Sequence, residues 1–289
     1  MLRFDDRVAL VTGAGRGLGL AYATLLAERG ARVVVHDVGA ERDGSGRDPD
    51  VAARAAADLS ARGWRASPAH DAIEDRDGCR GLVEAILHRH GRLDILIHNA
   101  GFVAYRAIEE EEPDSFARMM AVSAGAPLWL AQAAWPAMRG RRHGRIVLTT
   151  SDRALYPGYV QKGLAAYAAA KLAAVGLVNV LAAEGAEHGI VVNAVSPVAK
   201  TRMWGVAGEP DELRPQAVAP GVAFLASDAC DQGGWVLRAA NGQFRLTRAE
   251  EAEGVTGARD LRGVAAATPD DLAAAFAAMT GRKHPGPPA

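Results

Sequence analysis

Two spacings of apolar residues alternate along this chain. Short, nearly continuous apolar runs occur at Arg7–Thr12 (RVALVT), Arg32–Asp37 (RVVVHD), Arg65–His70, Leu93–His98 (LDILIH), Arg145–Thr150 (RIVLTT) and Ile190–Val195. Such runs predict strands covered on both faces. Between them lie helical stretches: one closed by Gly30, then residues 50–62 and 75–90, a long one reaching Met138 after the charged run Glu109–Glu112, and the Ala-rich Gly163–Val180. A seventh strand is expected at Trp235–Ala239 and a small extra one at Phe244–Leu246. Thr268-Pro269-Asp270-Asp271 supplies a cap and a first-turn proline for a last helix ending near Met279. This alternation predicts one doubly wound parallel sheet with helices on both faces. No repeat or linker-like break divides it. Residues 1–280 read as a single dinucleotide-binding catalytic domain with an extension from about 241, and 281–289 as a flexible tail.

Composition narrows the function. Nearly half of the 289 residues are hydrophobic, enough for a large core, and the formal net charge is −1. A balanced charge speaks against nucleic acid or an anionic membrane as the main partner. The two cysteines, Cys79 and Cys230, both in segments read as helical, are expected to be reduced structural residues of a cytoplasmic protein. No metal-ligand spacing is present, so no metal is expected. The N-terminus shows no signal-peptide core, the C-terminus no peroxisomal or prenylation signal, and no apolar run reads as long enough to span a bilayer.

The chemistry clusters at the carboxyl ends of the predicted strands. After the first strand, GAGRGLG (Gly13–Gly19) leads into a helix. Glycines let the backbone approach a pyrophosphate, and the helix N-terminus offers free N–H groups. The spacing is Gly13-xxx-Gly17-x-Gly19, with Leu18 where the common dinucleotide pattern has its third glycine, and a P-loop lysine is absent. Asp37 ends the second strand, where a carboxylate accepts the ribose hydroxyls of NAD and repels the extra phosphate of NADP. Arg16 and Arg42 point the other way, since either suits a 2′-phosphate. Asp71, past the third strand, serves either the adenine amino group or a helix cap. Asn99-Ala100-Gly101 turns at the end of the fourth strand, where ligands lie in such sheets; His98 before it reads as a satisfied core or turn histidine. Ser151 leaves the fifth strand, either as a plain turn residue or facing the helix of Tyr167. Tyr167 and Lys171, four apart on a helix, share one face. A free phenol titrates near about 10, and a neighbouring ammonium is expected to pull that down and make a proton-transfer pair. Gly39–Pro49 reads as an exposed loop. Residues 198–220, with Trp204, Gly205, Gly208, Pro210 and Pro215, read as a substrate lid.

Taken together, TGAGRGLG (Thr12–Gly19), HNAG (His98–Gly101), Ser151, YAAAK (Tyr167–Lys171) and NAVSP (Asn193–Pro197) resemble the short-chain dehydrogenases/reductases over about residues 5–240. Within that family VVVHDVG, the loop after it and the C-terminal extension are most similar to the (3R)-hydroxyacyl-CoA dehydrogenase domain of multifunctional enzyme type 2 and bacterial relatives. The resemblance implies a Rossmann-type seven-stranded sheet in the order 3-2-1-4-5-6-7 and NAD as cofactor. It implies interconversion of a secondary alcohol and a ketone, with a 3-hydroxyacyl-CoA or another hydrophobic hydroxy compound as substrate. Tyr167 is then the general acid/base, Lys171 lowers its pKa and holds the nicotinamide ribose, and Ser151 binds the substrate oxygen. Gly13, Arg16, Gly17, Leu18 and Gly19 cradle the pyrophosphate. Asp37 takes the ribose, Asp71 and Ala72 the adenine edge, and Asn99, Ala100 and Gly101 pack along the cofactor. Pro197, Val198 and Thr201 border the nicotinamide.

Three features depart from the pattern. Ser123 stands where the family has an asparagine that feeds a proton relay. Ser151 and Tyr167 are 16 apart, an insertion that falls within YPGYVQKG, and His98 replaces the first asparagine of the fourth-strand turn. Leu155, Tyr156, Tyr159 and Trp204 are expected to line an apolar substrate pocket. Family members commonly form dimers or tetramers, and the Ala-rich faces at 165–183 and 124–137 suit close helix packing. The alternatives are an NADP-linked carbonyl reductase, or a non-catalytic NAD-binding scaffold or sensor supported by Ser123 and the insertion.

Overall fold

A computed structural model describes residues 1–205, 210–251, 253, 255 and 261–279; Gly208 of the expected lid and the tail 281–289 lie outside the described residues. The chain divides into two compact units, Met1–Arg248 and Ala249–Ala289. In the first, the strands are β1 (Val8–Thr12), β2 (Arg32–His36), β3 (Ala66–Ala69), β4 (Ile95–His98), β5 (Gly144–Thr149), β6 (Ile190–Val198), β7 (Val236–Ala240) and β8 (Gln243–Thr247). They form one sheet in the order β3-β2-β1-β4-β5-β6-β7-β8. All neighbours are parallel except β8, which returns antiparallel on β7. The expected seven-stranded order is therefore present, and the short C-terminal strand extends it to eight.

Apolar runs become strands here because helices cover both faces. Residues alternate sides along a strand. Ala9, Val11, Val33, Val35, Ile95 and Ile97 face one core, with Tyr22, Leu26, Leu59 and Val222 from α1 (Gly17–Glu28), α2 (Asp50–Ala61) and α8 (Ala219–Leu225). Leu10, Val34, Leu96, Ile146, Leu148 and Val192 face the other, with Leu82, Leu130 and Val178 from α3 (Arg76–His90), α5 (Ala126–Arg141) and α7 (Ala165–Gly185). Each such buried side chain contributes about 1.5–3 kcal/mol. The second unit contains, among its described residues, helix α9 (Pro269–Met279), where Thr268 Oγ1 accepts from the Asp271 N–H.

Several expectations are corrected. β6 does not stop at Ser196-Pro197 but runs to Val198. β5 ends opposite Val195, so beyond it only β7 flanks β6, and the missing Pro197 N–H costs no ladder bond on the open side. The long helix before β5 is α4 (Pro113–Met120), a π-helical turn at Ala121–Gly125 and α5. Helix α8, not foreseen, opens with Pro220 in its first turn, and its Gly221 admits the Phe244 ring, which a Cβ would meet at 2.6 Å. Cys230 lies in the loop after α8 rather than in a helix. Finally, α7 with its following turn, Ala165–His188, is long and apolar enough by length and composition to cross a membrane. Its inner face nevertheless packs on the sheet, burying Ala174 and Val178.

Candidate active site

The groove forms where β1 and β4 end. Gly13 and Gly17 adopt φ of 62° and 56°, which only glycine takes without strain. A Cβ on Gly19 would lie 2.1 Å from the Gly13 carbonyl, so that glycine lets α1 approach the turn. No side chain caps the start of α1, leaving first-turn N–H groups for an anion. Gly13, Arg16, Gly17, Leu18, Asp37, Asn99, Ala100, Gly101 and Thr201 all line this groove. Gly19 sits behind it.

Asp37 is held by two backbone donors: Gly15 N–H to Oδ2 at 2.9 Å and Gly39 N–H to Oδ1 at 2.8 Å. At the far end the lining residues are Ile73 and Glu74 rather than Asp71 and Ala72. The Asp71 carbonyl is taken by His36 Nε2 at 2.8 Å, and its side chain is exposed. Glu74 Oε1 receives Arg47 at 3.1 Å, while its buried Oε2 has no partner among the described residues. A buried carboxylate oxygen without a donor is costly. The amino group of an adenine would supply one. Glycine cradle, uncapped helix start, fixed carboxylate and orphan acceptor together fit a dinucleotide.

The loop expected to be exposed closes over this groove. Arg202 Nη2 donates to the Ala40 carbonyl at 2.8 Å and Nη1 pairs with Glu41 at 3.1 Å. Arg16 also reaches the Ala40 carbonyl, at 3.1 Å. Gly44 is pressed on Phe102, whose ring a Cβ would meet at 2.8 Å. Most of Gly39–Pro49 is solvated, but these anchors join it to the segment after β6. Thr201 itself accepts from the Met203 N–H at 3.3 Å and places its methyl by Gly17.

A row of hydrogen bonds crosses the strand tips. Thr12 Oγ1 accepts from the N–H groups of Asn99 and Ala100, both at 3.1 Å, so its own proton goes to His98 Nδ1, also at 3.1 Å. His98 is then protonated on Nε2, which donates to the Val122 carbonyl at 3.0 Å. Burial and the Lys171 charge push its pKa down to about 3, so it is neutral. His98 is thus the satisfied histidine expected, and it pins the π-helical turn that carries Ser123. Thr149 Oγ1 donates to the His98 carbonyl at 2.9 Å, and Lys171 Nζ donates to the Thr149 carbonyl at 3.1 Å.

Lys171 and Ser123 meet the groove at Gly101, where a built Cβ would lie 3.3 Å from Nζ and 3.5 Å from the Ser123 hydroxyl. Tyr167 packs beside Phe102, Met119, Ala166 and Ala170, and Ser151 lies near its hydroxyl. The electrostatics correct one expectation. Burial raises the Tyr167 pKa above its ordinary value, while Ser151 and the Arg153 charge act downward. Lys171 Nζ lies 5.9 Å from the Tyr167 ring centroid. Its own pKa is pushed down to about 8 by burial, so it is a weakening cation as pH rises.

The family model for short chain dehydrogenases matches residues 7–211. This protein belongs to the short-chain dehydrogenases. The mouse peroxisomal multifunctional enzyme type 2 is 35% identical over 256 residues, 88% of this chain and 34% of that protein, so the chain spans about a third of that relative's length. A short chain dehydrogenase from Mycobacterium avium superposes with a TM-score of 0.82 at 33% identity, covering 98% of this chain and 97% of its own. A 3-oxoacyl (acyl-carrier-protein) reductase from Agrobacterium tumefaciens with NADP bound gives 0.71 at 27% identity over 83% of this chain and 95% of its own.

The insertion in this short-chain dehydrogenase is a braced element. Asp152, directly after Ser151, accepts from Arg238 Nε at 3.0 Å and Nη2 at 2.7 Å, and from Ser196 Oγ at 2.7 Å. The same guanidinium lies 4.6 Å from the Tyr156 ring and 5.5 Å from that of Tyr159. The Tyr156 hydroxyl bonds Thr247 at 2.8 Å. Both tyrosines expected in a substrate pocket therefore grip Arg238, while Leu155 packs against the core and Trp204 lies under Arg153. Charge-assisted bonds of this kind are worth about 1.5–3 kcal/mol. Arg238→Met is expected to destabilise the enzyme by about 2 kcal/mol, and Asp152→Asn by a similar amount. Urea unfolding of both single variants and the double variant should show strong non-additivity; simple addition would mean the pair does not brace the loop.

Sequence reading missed Glu74, Phe102, Arg118 and Arg202 in the groove, and Tyr105, Arg153 and Arg238 around the serine and tyrosine. None sits in a recognisable motif. Arg238 is 86 residues from its partner Asp152, and the parallel pairing of β7 with β6, which sets Arg238 opposite Ser196, brings it there.

Proposed function

We propose that the protein is an NAD(H)-dependent oxidoreductase that interconverts a secondary alcohol and a ketone, with 3-hydroxyacyl thioesters as its substrate class. The observation that carries this reading is the gathering of Ser151, Tyr167 and Lys171 at the strand ends, with Lys171 Nζ 5.9 Å from the Tyr167 ring and meeting the groove at Gly101. A nicotinamide held in this groove would supply the hydride in reduction and accept it in oxidation. Ser151 donates a hydrogen bond to the substrate oxygen as charge develops. Tyr167 gives the oxygen its proton in reduction and removes it in oxidation. Lys171, with one carbonyl partner at Thr149, holds the ribose with its remaining protons. Asp37 favours NAD, because its fixed carboxylate accepts ribose hydroxyls and repels a 2′-phosphate. The insertion, braced to β7 and β8, is compatible with a working site rather than a scaffold.

An NADP-linked carbonyl reductase is the second reading, favoured by Arg16 and Arg42 in the groove. The cofactors separate the two. We expect kcat/KM with NAD+ to exceed that with NADP+ by at least about tenfold, or about 1.4 kcal/mol, and Asp37→Ser to narrow the gap. A wild-type preference for NADP+ would reverse the assignment.

A homo-oligomer is part of the proposal. Ala165, Ala169, Leu172, Gly176, Val180 and Ala183, spaced three or four apart, form an exposed small and apolar stripe along α7. Such a stripe suits close packing against a second copy. Two buried free cysteines support a reducing, cytoplasmic setting.

A further inference from the structure

We infer that Arg153 selects the substrate, binding a carboxyl-derived group, either a free carboxylate or a thioester carbonyl, carried close to the reacting carbinol. This rests on the reading of Ser151 and Tyr167 given above and names the substrate feature that their surroundings recognise.

Arg153 is fixed to the site by its backbone. Ser151 caps the short helix α6 (Asp152–Leu155), and the Arg153 N–H donates to the Ser151 hydroxyl at 3.3 Å. The side chain is half-buried among neutral groups. Nη1 donates to the Tyr105 hydroxyl at 3.3 Å, and the guanidinium lies 5.8 Å from the Trp204 ring centroid. Tyr105 is itself held, donating to Gln161 at 2.9 Å.

Among the described residues no carboxylate lies within ion-pair distance of Arg153. The adjacent carboxylate, Asp152, is committed to Arg238, and Arg202 on the other rim is paired with Glu41. A half-buried guanidinium has a desolvation cost, which is ordinarily offset by an acid. Among the described residues the acid is missing beside a guanidinium whose charge acts on Tyr167.

The donor set fits a carboxyl-derived acceptor. A guanidinium has five N–H donors in a planar fork that matches a carboxylate and serves a carbonyl equally well. One donor is used by Tyr105. A plain alcohol or hydrocarbon ketone gives the remaining donors nothing to bind. Two other roles are open to Arg153: depressing the Tyr167 pKa, or holding Trp204 in the rim. Both would affect every substrate alike, whereas recognition affects only those that carry the group.

The full-length enzyme and its Arg153→Met and Arg153→Lys variants are assayed with both cofactors. The substrates are 3-hydroxybutyrate, its N-acetylcysteamine thioester and butan-2-ol, and the readout is kcat/KM for each. The ratio of each carboxyl compound to butan-2-ol cancels any loss common to all three. Wild type should favour at least one carboxyl compound, and Arg153→Met should cut that ratio by about 10- to 100-fold, the range of a charge-assisted hydrogen bond. Arg153→Lys should restore part of it. The compound whose ratio falls further identifies the natural group as acid or thioester. A ratio that survives Arg153→Met overturns the inference, as does parallel loss on all three substrates. Wild type that prefers butan-2-ol or treats all three alike overturns it too, while leaving the oxidoreductase reading standing. Wild type that turns over none of the three with either cofactor overturns both.

Discussion

Tyr167→Phe is expected to lower turnover by about 10²- to 10⁴-fold in both directions while NADH still binds. The ring packs among Phe102, Met119, Ala166 and Ala170, and phenylalanine keeps that packing. What it removes is the hydroxyl beside Ser151, hence the proton donor and acceptor. The pH profile carries a second signature. Burial holds the phenol above its ordinary value, so at neutral pH Tyr167 is an acid and ketone reduction is the easier direction. Alcohol oxidation needs the phenolate and should accelerate as pH rises through the Tyr167 pKa, which the positive charge of an oxidised nicotinamide would lower. Steady-state rates in both directions across pH, with NADH titration of the variant, check this. Turnover that survives Tyr167→Phe would remove the tyrosine from its assigned role.

Lys171→Met should trade activity for stability, with a pH dependence of definite sign. Lys171 is 4% exposed, and burial pushes it from 10.5 to about 8. The folded pKa lies below the unfolded one, so the ammonium is better solvated in the unfolded chain. Below about pH 8 the lysine therefore costs the fold about 3 kcal/mol. That cost fades as pH climbs from about 8 toward 10.5 and is gone above it. Against this, methionine leaves the Thr149 carbonyl without the donor it has at 3.1 Å, a loss of about 1 kcal/mol. We expect the variant to be about 2 kcal/mol more stable than wild type at pH 7 and to lose that advantage near pH 10. Turnover should fall sharply at both, since no other described ammonium faces Gly101. Denaturant unfolding at the two pH values measures the first effect; a pH-independent difference would contradict the buried-cation account.

Most of the sheet was legible because strands covered on both faces must be apolar along most of their length, as Val8–Val11 and Ile95–Ile97 are. The exceptions share one cause, a partner distant in sequence. Pro197 reads as a stop until β5 is seen to end opposite Val195. Helix α8 starts with a proline, as helices often do, and a glycine whose place the packing of Phe244 and Leu237 explains. The π-helical turn at Ser123 is invisible in composition and is set by His98 across the sheet. In the site, types were readable and directions were not. The four-residue spacing of Tyr167 and Lys171 gives a shared face but not the aim of the ammonium, which turns to Thr149. Asp37 was legible from the turn before it. Where Asp71 and Ala72 were expected, the residues lining the groove are Ile73 and Glu74, and the Asp71 carbonyl is taken by His36. Arg153 and Arg238 belong to no motif, and their roles arise only when the loop after Ser151 folds.

On the proposed function, Tyr167 moves the hydroxyl proton and a nicotinamide held in this groove would take up the hydride of the carbinol carbon. The direct measurement uses a 3-hydroxyacyl thioester carrying deuterium on the carbinol carbon, incubated with NAD+ and the enzyme. Mass spectrometry of the recovered cofactor should find reduced nicotinamide bearing the deuterium with wild type, and none above background with Tyr167→Phe. Cofactor that stays oxidised with wild type, or is reduced without the label, would contradict the account.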